Sequence, residues 1–193
     1  MSMNQEQPSM MNQAMNFGAV AGLYYIVKFC IFPLSLHSTM AAFLFLGLTL
    51  VVPFFIYQLV KRYRDLCCGG RIEFARAAIF SVLTMGFASL LAAVAHYVYF
   101  AFIDGGAVVA ALAQSIDQLQ SVDFSSLEGV NADSVAQFNQ YVEFMQGTMR
   151  QLQAMSPIDM TIGMLGNNAS WSIILSLPIA LVVSLNIPKK TKE

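Results

Sequence analysis

The chain has 193 residues, of which 57% are hydrophobic and 11% are charged. A soluble domain carries about 25% charged residues, so the composition argues against a soluble globular protein and indicates lipid as the main solvent. The net charge of −1 gives no reason to expect a nucleic-acid partner, and three cysteines, two of them adjacent, argue against a secreted disulfide framework.

Four apolar segments follow one another along the chain, at 17–36, 40–60, 74–103 and 169–187. Each has about the 20 residues that a helix needs to cross a hydrocarbon core of about 30 Å. Their apolar residues are continuous rather than alternating, which argues against transmembrane strands. We therefore predict an all-α integral membrane protein with four transmembrane helices, preceded by a cytoplasmic tail at 1–16.

The first segment carries a close-packing motif, Gly18-x-x-x-Gly22, of the kind that lets two membrane helices approach each other closely. Because such motifs are common in membrane helices, packing within the chain is favoured over dimerisation. The third segment has a partly small face of its own, formed by Ala77, Ser81, Ser89 and Ala93.

Two ionisable residues lie inside the apolar segments, Lys28 in the first and His96 in the third. A charge at the membrane centre costs about 2.5–3.5 kcal/mol on insertion scales, so such a residue is a functional hypothesis by default. Each lies about eight positions from the outer end of its segment, which predicts a similar depth. Either the two form a polar site in a water-filled pocket, or Lys28 snorkels to the interface and His96 satisfies a backbone carbonyl.

Basic residues gather beside the second and fourth segments. Residues 61–76, which include the loop 61–73, have a net charge of +3, and the tail 189–193 has a net charge of +2. The positive-inside rule predicts that both lie in the cytoplasm, and with four spans both termini are then cytoplasmic. Gly69 and Gly70 predict the turn in this loop. The topology-determining basic residues are Lys61, Arg62, Arg64, Arg71, Arg76, Lys189, Lys190 and Lys192.

The long segment 104–168 differs from the rest, because it is polar and has a net charge of −6. We predict an extracytoplasmic helical insert with one helix at 105–120 and a second from about Asp133. Asp133 or Ser134 is the expected cap of the second helix, and Ser156-Pro157 is expected to end it.

One stripe of apolar residues follows the second insert helix at alternating steps of three and four. The stripe either packs against the first insert helix, or part of it binds a partner or a second copy of the chain. Lying flat on lipid is disfavoured, because interfacial helices present Lys and Arg. The candidate partner face consists of Phe138, Val142, Met145, Met149 and Leu152, in continuation of Val135.

The sequence contains none of the common motifs of catalytic, nucleotide-binding or metal sites. There is no phosphate loop, nucleophile elbow, HExxH or dinucleotide fingerprint, and the cysteines have no metal-ligand spacing. No carboxylate lies inside an apolar segment, so a carboxylate proton relay is not expected. We therefore expect a protein that is not an enzyme and that needs no cofactor or metal.

The order of parts resembles a known family. A linker "YRD…GG.I.F" spans Tyr63 to Phe74, the third segment ends in "YVYFAFID" at Asp104, and Ser156-Pro157 precedes a final segment that closes on lysines. This pattern resembles the domain-of-unknown-function 4199 family, small integral membrane proteins of bacteria in the Bacteroides group. The resemblance implies an inner-membrane location and four spans, and it implies no activity or functional residue.

Two functions are compatible with these features. The first is a non-enzymatic scaffold or partner-binding protein of the cell envelope that presents the helical insert. The alternative is a small transporter or channel subunit that acts as an oligomer through Lys28 and His96. The expected partners are the lipid bilayer and either further copies of the chain or an envelope protein.

Overall fold

A computed structural model of the protein describes residues 9–121 and 131–185. The predicted all-α architecture is confirmed, since no strand occurs in the described ranges. Lys189, Lys190 and Lys192 lie outside these ranges. In chain order the helices are α1 (Met10–Ser35), α2 (Thr39–Cys67), α3 (Phe74–Phe102), α4 (Ala107–Gln120), α5 (Ala132–Ala154) and α6 (Pro157–Leu185).

Four of these helices, α1, α2, α3 and α6, are long and apolar enough to cross a membrane. The predicted number of spans is therefore confirmed, and the chain is a multi-pass membrane protein. Large apolar side chains cover the outside of the bundle, where Phe43, Phe54 and Phe102 are 71%, 72% and 77% exposed. In lipid such a surface is at no disadvantage, because the solvent is as apolar as the side chains.

α3 lies at the centre of the bundle and packs most extensively against α1 and α6. α1 runs parallel to α3 and meets it at the glycine motif. A Cβ atom on Gly18 would lie 2.6 Å from Cβ of Phe87, and one on Gly22 would lie 2.7 Å from Cδ2 of Leu91. Only glycine permits this approach, so the interpretation of the motif as packing within the chain is confirmed.

α2 is longer than the apolar segment that predicted it. It continues as a helix to Cys67, so residues 61–67 are helical and the expected loop 61–73 is reduced to residues 68–73. Lysine and arginine are good helix formers, and their long stems reach toward water from a helix end, so nothing in this sequence stops the helix earlier. We call this end of the bundle, where α2 ends and α3 begins, the basic end.

The connection 68–73 reverses the chain at two glycines. Gly69 and Gly70 have φ angles of +61° and +81°, in the left-handed region that glycine adopts without steric cost. The N–H of Gly70 donates to the carbonyl oxygen of Arg64 at 3.1 Å, which closes the last turn of α2. The predicted glycine turn is therefore confirmed.

α4 and α5 pack against each other as a helical hairpin at the opposite end of the bundle, which we call the insert end. The buried carboxylate of Asp104 caps α4, since it accepts from the N–H groups of Gly106 and Val108 at 3.0 and 3.1 Å. α5 is not capped by Asp133 or Ser134. Its cap is the preceding residue Asn131, whose side chain accepts from the N–H of Ser134 at 2.8 Å.

α6 begins at Pro157 rather than at Ala169, which corrects the predicted start of the fourth span. Ser156 and Asp159 cap each other's backbone across its first turn: the N–H of Asp159 donates to Oγ of Ser156, and the N–H of Ser156 donates to Oδ2 of Asp159, both at 3.3 Å. Proline is favoured at the first helical position. Residues 157–168, which were predicted as part of the insert, therefore extend the fourth spanning helix.

Candidate functional site

A cavity of about 180 Å³ opens between the four spanning helices toward the insert end. Both intramembrane residues singled out from the sequence, Lys28 of α1 and His96 of α3, line it. We call it the Lys28–His96 cavity. Its other lining residues are Tyr25, Phe29, Phe32, Phe45, Met164, Asn167 and Asn168.

The ammonium group of Lys28 is half-buried and lies beside two aromatic rings. Its Nζ atom is 5.5 Å from the ring centroid of Tyr25 and 5.8 Å from that of Phe45, within the range of cation–π attraction. Because Tyr25 comes from α1 and Phe45 from α2, the lysine spans the groove between these helices. No carboxylate is among the residues that line the cavity in the described ranges, so the positive charge is not neutralised by an acid there.

His96 is held on the opposite wall by aromatic packing. Its ring is 5% exposed and lies 4.1 Å, centroid to centroid, from the ring of Phe29. Its Nδ1 atom is buried and has no hydrogen-bond partner in the described protein, so the backbone carbonyl suggested from the sequence is not bonded to this nitrogen. Leaving such a group unpaired costs about 1–3 kcal/mol.

α6 supplies two amide side chains that the sequence did not suggest. Asn167 and Asn168 line the cavity with Met164, because α6 starts twelve positions before the predicted start at Ala169 and therefore carries them into the bundle. An asparagine amide both donates and accepts hydrogen bonds. The signal that could have found them is the Ser156-Pro157-x-Asp159 pattern, which marks a helix start and places both asparagines on a spanning helix.

A second cavity of about 330 Å³ adjoins the first and shares with it the residues Tyr25, Lys28, Asn167 and Asn168. It continues along α2 and α6 past Thr49 and Trp171. The two cavities together place one cation, two amides and an imidazole ring against aromatic and aliphatic walls. This set of groups suits a small ligand that carries a negative charge or a carbonyl oxygen.

The predicted partner face on α5 lies against α4. Val142 is buried and the other four residues of the face are half-buried in the hairpin. Met149 lines a groove of about 310 Å³ between the two helices. The large apolar residues that α5 exposes are instead Tyr141 and Phe144, at 59% and 71%.

The predicted topology residues fall into two groups. Arg62, Arg71 and Arg76 are exposed and Lys61 is half-buried at the basic end. Arg64 is 3% exposed, and its guanidinium donates to the carbonyl oxygen of Val183 on α6 at 3.1 Å and to the neighbouring Asp65 at 2.8 Å. This arginine therefore also joins the ends of two spanning helices.

Within the described ranges, no cluster of three or more histidine, cysteine, aspartate or glutamate side chains could hold a metal ion. All three cysteines have free thiols.

Comparison with known proteins identifies the family. No curated protein and no solved structure matches the chain. The sequence profile of the family described as "Protein of unknown function (DUF4199)" matches residues 16–184, which include α2, α3 and the helical hairpin in full and most of α1 and α6. The chain therefore belongs to this family of proteins of unknown function.

Proposed function

We propose that this protein binds a small anionic ligand in the Lys28–His96 cavity and acts, as an oligomer, as a small transporter or channel subunit. The observation that carries the proposal is a cavity between the spanning helices that is lined by both ionisable residues of these helices, Lys28 and His96. A membrane protein keeps such costly groups where a ligand uses them. The proposed role is non-catalytic.

The charge of the site determines the class of ligand. An ammonium group that is partly removed from water, with aromatic neighbours and no acidic lining residue, attracts an anion and repels a cation. The amides of Asn167 and Asn168 add donors on the α6 side. A carboxylate or a halide is therefore the ligand class that this lining fits.

The position of the site supports a transport role over simple storage. All four spanning helices contribute to its wall, so movement of any one of them changes access to Lys28. The adjoining cavity shares Lys28 and both asparagines, and extends the polar space along α6. Four spans are few for a lone transporter, which is why we propose an oligomer.

The proposal is tested by anion flux into vesicles that contain the purified protein. We expect uptake of radiolabelled acetate or chloride, reduced at least about tenfold in Lys28→Met and His96→Phe, because each change removes a charged or polar contact. Lys61→Met removes a lysine at the basic end and should leave flux unchanged. Full flux in both cavity variants would overturn the proposal.

A scaffold role remains the second candidate, and Tyr141 and Phe144 are the observation in its favour. These exposed aromatics lie on the face of α5 that does not pack on α4. A photo-crosslinker at Phe144 should capture a specific protein in native membranes, whereas one at the half-buried Met145 should not. Equal labelling from both positions, or none from Phe144, would count against this role.

For the orientation, we infer that the basic end and both termini face the cytoplasm across the inner membrane. The support is the concentration of arginine at that end and of acids in the insert. In a cysteine-free background, an impermeant maleimide added to intact cells should label Phe144→Cys and should label Arg62→Cys only after permeabilisation. The reverse pattern would invert the topology.

A further inference from the structure

A separate polar cavity lies at the basic end, and it shares no lining residue with the Lys28–His96 cavity. It has a volume of about 570 Å³ and is bounded by the end of α2, the connection 68–73, the start of α3 and the end of α6. Its lining residues are Arg64, Gly70, Arg71, Ile72, Glu73, Arg76 and Ser184. We call it the arginine cavity.

Three guanidinium groups and the carboxylate of Glu73 line this cavity, and with Asp65, which pairs with Arg64, the net charge is +1. The buried Arg64 forms its floor, where it is bonded to Val183 and Asp65. Arg71 and Arg76 are exposed and stand at its mouth. Arg71 is placed by the glycine turn, since its N–H donates to the carbonyl oxygen of Cys68 at 3.3 Å.

Arg76 is held in position by a buried tyrosine. Its Nη2 donates to the hydroxyl oxygen of Tyr63 at 3.2 Å, and its guanidinium carbon lies 6.0 Å from the centre of that ring. Tyr63 is itself fixed by stacking on Phe80, with ring centroids 3.7 Å apart and planes inclined by 6°. The guanidinium is therefore partly pre-organised, which lowers the entropy lost when it binds a ligand.

We propose that the arginine cavity binds the phosphate group of an anionic phospholipid. The planar guanidinium matches phosphate oxygens in a bidentate geometry, and Arg71 and Arg76 both line the cavity. Basic pockets between spanning helices are a known form of lipid headgroup site. The apolar residues Leu66 and Phe74, exposed by 69% and 44% at the same end, provide surface along which acyl chains would lie.

The test uses native mass spectrometry of the full-length protein in detergent with added phosphatidylglycerol, cardiolipin or phosphatidylcholine. The two anionic lipids should bind, and the double variant Arg71→Gln/Arg76→Gln should reduce bound lipid at least about tenfold, since two charge-assisted contacts are lost. Tyr63→Phe keeps the stacked ring, releases Arg76 from its anchor and should reduce binding by a smaller factor.

The matched control is Arg62→Gln, an exposed arginine of the same helix end that does not line the cavity. It should bind lipid as the unaltered protein does. An equal loss in Arg62→Gln would overturn the proposal in favour of diffuse charge attraction. Equal binding of phosphatidylcholine, whose headgroup has no net charge, would overturn the selection of anionic lipids. If an equal concentration of inorganic phosphate displaces the lipid, the site recognises free phosphate and the proposal of a phospholipid ligand is wrong. Because Arg71 is exposed, the single variant Arg71→Gln tests the site without endangering the fold.

Discussion

Arg64 at the basic end and the ionisable residues of the Lys28–His96 cavity have very different surroundings. At the basic end the buried arginine is bonded to a main-chain carbonyl and a carboxylate, and the exposed Arg76 is bonded to a tyrosine hydroxyl. Toward the insert end, Nδ1 of His96 is buried with no partner, and Lys28 has aromatic rings beside it in place of an acid. We propose that the bonded Arg64 holds the ends of two helices together, whereas Lys28 and His96 serve a ligand in the cavity that they line.

The largest expected change in the free energy of unfolding comes from the close contact between α1 and the central helix α3. Gly18→Leu should lower the free energy of unfolding by about 3 kcal/mol, because its side chain would overlap Phe87 of α3. Thermal unfolding in detergent measures this. Gly47→Leu is the control, since a Cβ atom there meets nothing within 4 Å; an equal loss in both variants would mean that α1 does not pack on α3 as described.

At the basic end, Arg64→Met should destabilise the protein by about 2 kcal/mol, because the buried carbonyl oxygen of Val183 loses its charged donor. Arg62→Met, at an exposed position of the same helix, should change stability by less than about 0.5 kcal/mol. The same unfolding assay compares the two variants. Indistinguishable stabilities would remove the structural role that we assign to Arg64.

In the Lys28–His96 cavity we expect a substitution to raise the free energy of unfolding instead of lowering it. His96→Phe should stabilise the protein by about 1 kcal/mol, because an unpaired buried nitrogen is replaced by an apolar ring next to Phe29. The same variant should lose anion flux. A destabilisation of that size would show that the imidazole has a partner in the folded protein and would break the contrast between the two ends.

The smallest effect is expected for Tyr63→Phe, which removes a part-buried hydrogen bond and keeps the stacked ring. We expect a loss of about 0.5 kcal/mol, at the low end for a single hydrogen bond. A loss several times larger in the unfolding assay would mean that the hydroxyl supports the fold beyond placing Arg76.

Much of the fold was predictable from the sequence, because continuous apolar runs specify spanning helices by length alone. The glycine turn and the packing motif were predictable for a similar reason, since each depends on a few neighbouring residues. The helix ends were not. Hydropathy stops where polar residues begin, although α2 continues to Cys67 and α6 begins at Pro157 through a local capping pattern.

The candidate site was predictable in part. The number of residues from each helix end predicted a similar membrane depth for Lys28 and His96, and both residues line one cavity. The capping pattern at Ser156 could have placed Asn167 and Asn168 on the fourth spanning helix, but the direction they face depends on how α6 packs against α3 and α2, which is a tertiary relationship. The burial of Arg64 has the same origin, because its partner Val183 is remote in sequence.

The most direct test of the anion site uses Trp171, the single tryptophan of the chain, which lines the cavity adjoining Lys28. Its fluorescence would be titrated with acetate and, as a cationic control, with ethylammonium. We predict a saturable change with acetate alone, abolished in Lys28→Met and in His96→Phe. A response to ethylammonium of equal size, or an unchanged acetate response in both variants, would contradict the account.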